Sequence, residues 1–224
     1  EHVDAWEVGL KSQWLDGVLQ LNGALFSYDY SDIQVEKVVG FSTQVQNAAK
    51  AKVRGGEISI QYVPFEFLAL DANTGYLDAK YGEFFDSDPY SVGAAAGAAA
   101  EEDLSGNRLN KAPEWSGSVG AKLSHVQGSG SELSLRGEWS YTGSMFYDQF
   151  NHDFAKAHSY EVWNAFLTFD FPQYGVTLRG FGKNLTDELY VGGQFTASAL
   201  VGSPYVYYGA PRMFGAEIQY RFGG

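Results

Sequence analysis

The stretch from Leu133 to Tyr147 reads LSLRGEWSYTGSMFY and alternates between apolar and polar residues over its whole length. One parity carries Leu133, Leu135, Trp139, Tyr141, Met145 and Tyr147, and the other carries Ser134, Arg136, Glu138, Ser140, Thr142 and Ser144. Side chains of a β-strand point alternately to the two faces of a sheet, so this pattern indicates a strand with one apolar and one polar face. The stretch therefore predicts an antiparallel sheet whose two faces meet different surroundings.

The same alternation recurs along the chain and predicts an all-β fold of nine antiparallel strands. The strands are expected at residues 5–15, 17–38, 45–63, 67–81, 113–126, 131–147, 159–171, 175–190 and 207–222. Most of them exceed the roughly 5 to 6 residues of a typical soluble strand and reach the ~9 to 11 residues of a membrane-crossing strand. Between residues 17 and 30 the apolar residues change parity, which predicts a β-bulge near Ala24.

The connectors between the predicted strands alternate in length. The short ones lie at residues 16–17, 64–66, 127–131 and 172–175, and the long ones at 39–44, 82–112, 148–158 and 191–206. Trp6 and Trp14 are eight residues apart on one face, which is roughly 26 Å along a strand and approximates the spacing of two aromatic belts. This layout favours a transmembrane β-barrel segment with tight periplasmic turns and long outer loops. A soluble ligand-binding β protein is the alternative, because it produces the same alternation.

Composition excludes several classes of function. The 224 residues include 27 Asp and Glu against 15 Lys and Arg, for a formal net charge of −12, and no Cys. An acidic chain without a basic run argues against nucleic acid binding, and the absence of Cys excludes thiolate metal sites, Cys nucleophiles and disulfides. The longest stretch free of charge, residues 189–211, contains four Gly and two Pro, so strand ends around a loop are expected there rather than a membrane helix.

Motifs for catalysis and metal binding are missing from the sequence. Lys183 lacks the hydroxyl residue after it and the Gly six residues before it that a phosphate-binding loop requires, and no G-x-S-x-G occurs. The acidic residues between Gly82 and Ala112 fit a solvated outer surface better than a calcium site, because their spacing matches no EF-hand loop. The two His of residues 152–158 lack helical metal-pair spacing. The sequence predicts no enzyme activity, no metal site and no cofactor.

Several blocks of sequence resemble TonB-dependent outer-membrane receptors. Gly182-Lys183-Asn184-Leu185-Thr186-Asp187 with Tyr190 resembles the N-L-x-D-x-x-Y segment of the family's penultimate strand. Pro211-Arg212 followed by Gly215, Ile218, Tyr220 and Phe222 resembles its final strand. Residues 6–14, 26–34 and 47–61 resemble further family blocks, so the resemblance spans nearly the whole chain.

The resemblance implies the last nine strands of a 22-stranded barrel with an N-terminal plug in its lumen. An odd number of strands leaves unpaired backbone groups in lipid, so the chain is expected to be the C-terminal portion of a longer polypeptide in a Gram-negative outer membrane. The implied partners are the chain's own plug and remaining barrel strands, the TonB complex, outer-membrane lipid and the barrel-assembly machinery. The implied function is energy-coupled uptake of a ferric siderophore or similar iron complex. The alternatives are import of haem, cobalamin or oligosaccharide, and a passive porin or adhesin.

Three groups of residues are candidates for function. Aromatic and His side chains on the outer connectors suit flat ligands such as ferric chelates, haem or sugars; they are Tyr81, Phe84, Tyr90, Tyr147, Phe150, His152, Phe195 and Tyr205, with Phe85, Tyr190 and Tyr207 as further aromatics. Ile218, Tyr220 and Phe222 resemble the C-terminal signal that directs barrel assembly. Charged residues expected to line a watery or plugged lumen, and to pair with the plug or between strands, are Glu7, Lys11, Glu57, Lys122, Arg136, Glu138, Arg179, Glu217 and Arg221.

Overall fold

Nine long strands form one antiparallel sheet in which sequence neighbours are also spatial neighbours. The structure, a computed structural model, describes residues 1–39, 42–91, 100–195 and 204–222, with only the backbone described at 36–39, 42–44 and 46–48. The strands are β1 (His2–Trp14), β2 (Leu19–Val39), β3 (Ser42–Phe65), β4 (Leu68–Tyr81), β7 (Trp115–Val126), β8 (Glu132–Thr142), β11 (Tyr160–Phe171), β12 (Val176–Lys183) and β15 (Met213–Tyr220). Their order in the sheet is β1-β2-β3-β4-β7-β8-β11-β12-β15, which confirms the predicted all-β fold.

The described parts of the long connectors contain three small two-stranded pairs. They are β5 (Phe85–Ser87) with β6 (Glu101–Asp103), β9 (Met145–Phe146) with β10 (Lys156–Ala157), and β13 (Val191–Phe195) with β14 (Tyr205–Tyr208). Single 3₁₀ turns occupy Asp153–Ala155 and Pro172–Tyr174. Among the residues that the structure describes, no helix has the length and apolar character needed to cross a membrane.

The alternation of connector lengths is confirmed with one correction. Residues 15–18, 66–67, 127–131 and 172–175 join strands at one end, and residues 82–114, 143–159 and 184–212 join them at the other. The prediction of a long connector near residues 39–44 is wrong, because β2 and β3 stay paired as far as Val39 and Ser42. The long feature here is the hairpin itself, with strands of 21 and 24 residues.

Three of the predicted strands are longer than the observed strands at the end that leads into a long connector. The strand expected at 131–147 ends at Thr142, because the Gly143 N–H donates to the Trp115 carbonyl at 2.8 Å and turns the chain. The strand expected at 175–190 ends at Lys183, since Asn184 adopts a positive φ of 50°. The last strand begins at Met213 rather than 207 and ends before Phe222. In each case the apolar and polar alternation continues into a connector, whose residues pair within the connector and not with the nine-stranded sheet.

The β-bulge predicted near Ala24 is wrong. β2 pairs with β1 without interruption and with β3 continuously from Leu19 to Tyr30, and the register shifts only beyond that residue. The parity changes because Phe26 and Tyr28 lie on the polar face, where their rings stack 5.2 Å apart. Gly55 opposite Phe26 leaves room for the ring, since a Cβ there would lie 2.6 Å from its Cζ.

The two faces of the sheet differ as predicted. The registers place Glu7, Lys11, Glu57, Lys122, Arg136, Glu138, Arg179 and Glu217 on one face, and Arg221 follows the last strand. The opposite face carries large apolar side chains that remain exposed, such as Trp6 at 79% and Ile218 at 76%. Burial is concentrated instead at the end of the sheet that bears the long connectors.

Candidate functional site

A compact apolar cluster, the loop core, forms at the long-connector end. It consists of the buried residues Ala49, Tyr81, Phe84 and Leu104. The rings of Tyr81 and Phe84 lie 4.9 Å apart, and Phe84 is only 1% exposed. Its partly buried neighbours Ile33, Val35, Leu109 and Phe150 come from the β2–β3 hairpin and from two different connectors. Apolar burial therefore joins these segments into one unit.

Backbone hydrogen bonds hold the β4–β7 connector around the loop core. The Leu104 N–H donates to the Phe84 carbonyl, and the Tyr81 N–H donates to the Asn107 carbonyl, both at 2.8 Å. The Gly82 N–H donates to the Lys50 carbonyl at 2.8 Å, which fixes the connector to β3. The backbone groups of this buried segment thus find partners, as buried backbone requires.

Side-chain amides join this connector to the β8–β11 connector. Gln149 Nε2 donates to Asp86 Oδ2 at 3.1 Å, and Asp86 is 2% exposed. Asn107 Nδ2 donates to the Gln149 carbonyl at 3.0 Å. Asn151 binds the backbone of Arg108 twice, accepting from its N–H at 2.8 Å and donating to its carbonyl at 3.0 Å. The two connectors therefore hold each other by hydrogen bonds in a partly buried setting.

His152 lies between two buried carboxylates from different connectors. Its Nδ1 is 2.5 Å from Asp148 Oδ2, and its backbone N–H donates to Asp148 Oδ1 at 3.1 Å. Its Nε2 is 3.5 Å from Asp88 Oδ2. Asp148 is 4% exposed and Asp88 is 8% exposed. Contacts at both ring nitrogens therefore fix the orientation of the imidazole ring.

The fixed imidazole is part of an aromatic platform made of Tyr90, Phe150, His152 and Phe154. His152 stacks on Phe150 with ring centroids 5.4 Å apart and on Phe154 with centroids 4.7 Å apart. Tyr90 meets Phe154 edge-on at 4.9 Å. Burial, together with the Asp148 and Asp88 carboxylates, raises the pKa of Tyr90 above its usual value, so its hydroxyl stays neutral at physiological pH. Phe154 is 43% exposed and gives the platform an open side.

The third long connector touches the platform at one point and carries two further candidates. Gln194 Nε2 donates to the Phe154 carbonyl at 2.9 Å. Phe195 and Tyr205 face each other across the β13–β14 pair, and they are 64% and 57% exposed. The structure thus brings Tyr90, Phe150 and His152 together at the surface and places Phe195 and Tyr205 on a separate hairpin.

Three of the predicted ligand residues are buried. Tyr81 and Phe84 belong to the loop core. Tyr147 is 7% exposed, its N–H donates to the Ala155 carbonyl at 2.8 Å, and burial raises the pKa of its hydroxyl. These three residues therefore stabilise the connectors as buried core residues. Ligand contact by any of the eight predicted residues stays a prediction.

Comparison with known proteins identifies the architecture. The family described as TonB dependent receptor-like, beta-barrel matches the sequence over residues 1–185. The chain belongs to this TonB-dependent receptor family. The ferric yersiniabactin uptake receptor FyuA from Yersinia pestis superposes with a TM-score of 0.77 at 16% identity, covering 99% of this chain and 30% of that one. The siderophore receptor PiuA from Acinetobacter baumannii gives 0.71 at 19% identity, covering 96% and 27%.

The likeness extends to proteins with other cargo. The copper transporter OprC superposes with a TM-score of 0.68 at 16% identity, covering 97% of this chain and 30% of that one. At such identities the superpositions establish the barrel fold alone. The chain spans about 30% of the length of these TonB-dependent receptors.

The N-L-x-D-x-x-Y segment of this TonB-dependent receptor chain has a structural role. Asn184 is 3% exposed, and its Nδ2 donates to the Glu188 and Ala210 carbonyls at 2.9 and 3.0 Å. Its Oδ1 accepts from the Glu188 N–H at 2.8 Å. Asp187 Oδ1 accepts from the Arg212 N–H at 2.9 Å. The motif therefore closes the β12–β15 connector against its own strands.

The polar face carries an ion network near the short connectors. Arg136 binds Asp71 through two hydrogen bonds of 2.7 and 3.1 Å and Glu138 through one of 2.6 Å. Lys122 Nζ donates to Glu132 at 2.9 Å. The Lys122–Glu132 pair joins neighbouring strands, as expected for the lumen cations, whereas Arg136 pairs within β8 and reaches Asp71 across the intervening β7.

A polar hollow of about 820 Å³ lies on the same face across β1 to β4. Its central row runs from Gly9 through Ala24 and Glu57 to Gly75, and all of these residues except Glu57 are small. Glu7 and Lys11 also line the hollow, together with polar side chains such as Asn22. The small floor permits close approach of another polypeptide segment, and the carboxylates give the hollow a net negative charge.

The predicted assembly residues lie exposed at the end of the sheet. Ile218, Tyr220 and Phe222 are 76%, 54% and 86% exposed, and Tyr220 meets Phe222 edge-on at 4.6 Å. Their role in assembly stays a prediction.

Sequence reasoning missed Asp148, Asn151 and Phe154, and the solvated position expected for the acids of residues 82–112 is wrong for Asp86 and Asp88, which are 2% and 8% exposed. Asp148 and His152 are four residues apart, a spacing that could have suggested their contact, whereas the distant Asp88 gives no such signal. Within the described parts of the chain, no group of three His, Cys, Asp or Glu residues is arranged to hold a metal ion.

Proposed function

We propose that this chain is the C-terminal barrel portion of an outer-membrane receptor that imports a ferric siderophore or similar iron complex by TonB-coupled transport. Its family consists of transport receptors rather than enzymes. FyuA and PiuA, which share its fold, are a ferric yersiniabactin uptake receptor and a siderophore receptor. The nine strands then form part of a larger barrel, with the apolar face toward outer-membrane lipid and the polar face toward the lumen.

The aromatic platform is the observation that carries the proposal for ligand binding. Its four rings come from two connectors, and Asp148 and Asp88 fix the central imidazole between them. A ligand that meets rings already in place loses little binding free energy in ordering the protein. Flat aromatic faces suit the aromatic or conjugated chelating groups of an iron complex. The platform thus provides a preformed outer contact surface.

The polar hollow supports the proposal of a plug as partner. Among the residues shown to line the hollow, Glu7 and Glu57 present two carboxylates and Lys11 is the one cation. A Lys or Arg on the plug of the complete receptor would complete the charge balance, and the small floor of the hollow would admit its backbone. In transport, a periplasmic partner acts on the plug to open a path past this wall.

Uptake by the complete receptor tests the ligand site. The full-length receptor is expressed in a host lacking its own siderophore receptors, and uptake of radioactive iron as a panel of ferric chelates is measured with and without TonB. Tyr90→Ala combined with Phe154→Ala removes two aromatic contacts of about 0.5 to 1.5 kcal/mol each, one of them on the open side of the platform, so binding should weaken roughly 5- to 150-fold.

Tyr174→Ala is the matched control, because Tyr174 is an exposed aromatic residue in a short connector at the opposite end. It should leave binding and uptake unchanged. Uptake that does not depend on TonB, or equal loss in both variants, would contradict the proposal.

The plug contact is tested separately with Glu7→Gln and Glu57→Gln in the full-length receptor. Loss of the two carboxylates should loosen the plug and raise passive entry of large antibiotics or conductance in planar bilayers. Glu66→Gln combined with Asp16→Asn, in two short connectors, removes the same number of charges away from the hollow. No increase in either readout for the double variant would count against plug docking at this wall.

A further inference from the structure

One face of the aromatic platform is open to a ligand. Phe150, His152 and Phe154 form a stack with His152 as the middle ring, at centroid distances of 5.4 and 4.7 Å. Tyr90 lies beside this stack, because its ring centroid is 6.0 Å from that of His152 and 4.9 Å from that of Phe154. The face of Phe154 that is turned away from His152 is therefore not covered by the other rings, and Phe154 is 43% exposed. A ligand group can thus contact an aromatic face directly.

Two buried carboxylates flank the middle ring of this stack. Asp148 Oδ2 is 2.5 Å from His152 Nδ1, and Asp88 Oδ2 is 3.5 Å from His152 Nε2. Within the described parts of the chain, neither carboxylate forms an ion pair with a Lys or Arg. Two carboxylates and one imidazole carry a net negative charge whether or not His152 is protonated. Because Asp88 and Asp148 are buried, solvent and salt screen this charge less than they screen an exposed one.

The cations of the long connectors are few and contact other groups. The three connectors together contain eleven Asp or Glu and four Lys or Arg. Arg108 donates hydrogen bonds of 3.1 and 3.3 Å to two backbone carbonyls, and Arg212 Nη2 is 3.8 Å from Asp187. Lys111 and Lys156 each lie over an aromatic ring outside the platform, with Nζ 6.0 and 5.7 Å from the ring centroid. The platform therefore lies among an excess of negative charge.

We propose that the platform selects iron complexes by charge and binds a cationic group of the ligand, such as an ammonium, on the open face of Phe154. This inference rests on the proposed function and narrows its substrate class. The face of an aromatic ring attracts a cation, and the Asp88 and Asp148 carboxylates add to that attraction. An anionic complex meets the same carboxylates as repulsion, which excludes the wrong ligand.

The charge of an iron complex depends on its chelating groups. Three hydroxamate groups with one negative charge each neutralise a ferric ion, whereas three catecholates with two negative charges each leave the complex strongly anionic. A hydroxamate complex that carries a free ammonium group is therefore positively charged as a whole. The platform fits this class of ligand, because its rings and its carboxylates both favour positive charge.

The test uses three ferric complexes of one linear trishydroxamate that differ only in their terminal group, which is an ammonium, an acetylated amine or a succinylated amine. Their affinities for the purified full-length receptor are measured by isothermal titration calorimetry. The ammonium form should bind most tightly and the succinylated form, with its free carboxylate, most weakly, with a ratio of about tenfold or more between these two. The protein is the same in all three titrations, so the ratio does not depend on the folding of a variant.

Two variants then assign the charge preference to the platform. Asp88→Asn combined with Asp148→Asn removes both carboxylates and should lower the ratio to about threefold or less. Asp16→Asn combined with Glu66→Gln removes as many charges at the opposite end of the sheet and should leave the ratio unchanged. Phe154→Leu keeps an apolar side chain and removes the ring, so it should weaken binding of the ammonium form more than binding of the acetylated form.

Several results would overturn the proposal. They are equal affinities for the three forms, tightest binding of the succinylated form, binding of none of the three, and an unchanged ratio in the Asp88 and Asp148 double variant. Iron uptake with and without TonB is measured separately for the three forms and for a ferric catecholate complex. TonB-dependent uptake of the catecholate complex alone would refute the charge preference and support transport, whereas the expected order of affinities without TonB-dependent uptake would support the charge preference and refute transport.

Discussion

The substitution Phe84→Ala tests whether the loop core holds the long connectors together. Phe84 is 1% exposed and packs against Tyr81 at 4.9 Å, whereas its neighbour Phe85 is 48% exposed. Truncation of a buried Phe to Ala costs about 3 to 5 kcal/mol, because it removes apolar burial and leaves a cavity. Truncation of the half-exposed Phe85 should cost under ~1 kcal/mol. The two adjacent aromatic residues thus form a matched pair.

Hydrogen exchange of the full-length receptor, followed by mass spectrometry, measures the effect. A loss of 3 kcal/mol corresponds to more than a hundredfold faster exchange through local opening, since about 1.4 kcal/mol is a factor of ten. Phe84→Ala should produce this acceleration in peptides from 82–91 and 100–112, and Phe85→Ala should not. Peptides from β1 and β2 serve as the internal reference. Equal acceleration in both variants, or loss of protection throughout the sheet, would refute the reasoning.

Three further predictions concern separate parts of the chain. A Cβ on Gly117 would lie 2.7 Å from the backbone carbonyl oxygen of Asn73, whereas nothing lies within 4 Å of one on Gly137; in thermal unfolding Gly117→Ala should cost about 1 to 3 kcal/mol, and a neutral result would contradict the packing. Phe222→Ala, at 86% exposure, should reduce the yield of heat-modifiable barrel in membranes more than Phe214→Ala, at 73% exposure, and equal yields would contradict the assembly role. The pKa of Tyr90 is raised in the folded state, so the stability that its neutral hydroxyl contributes is complete below pH 10 and is lost as the pH rises through the folded pKa. The absorbance titration of the wild type, minus that of Tyr90→Phe, should therefore show a midpoint above pH 10. A midpoint at or below pH 10 would contradict the burial of Tyr90.

The sheet could be predicted from the sequence because its two faces meet different surroundings. Each strand between β1 and β15 has to keep one parity apolar and the other polar, so the period of two is visible locally. The prediction failed where a side chain breaks this alternation because of a residue on a neighbouring strand. Phe26 lies on the polar face because Gly55 across the ladder leaves room for its ring, and the local sequence of β2 holds no trace of that partner.

The connectors were harder to predict, since their contacts depend on residues far apart in sequence. The alternation from Leu133 to Tyr147 continues past Thr142, yet the chain turns there because Gly143 approaches the Trp115 carbonyl. Asp88 and His152 are neighbours only because the β4–β7 and β8–β11 connectors leave adjacent strands at the same end. The sequence therefore predicted which residue types gather at this end and could not predict which of them are buried.

The distribution of buried polar groups bears on how such a receptor end can recognise a ligand. The sheet buries little on either face, so it cannot by itself immobilise connectors of 17 to 33 residues, which ordinarily would be mobile. Here Asp86, Asp148 and Asn184 are each under 5% exposed and each accepts or donates hydrogen bonds within or between connectors. Removing a partner from such a group leaves it unsatisfied at a cost of about 1 to 3 kcal/mol, so the folded arrangement is strongly preferred over an open one. The aromatic platform is consequently held in place before any ligand arrives, and the free energy of ligand contact goes into binding rather than into ordering the loops.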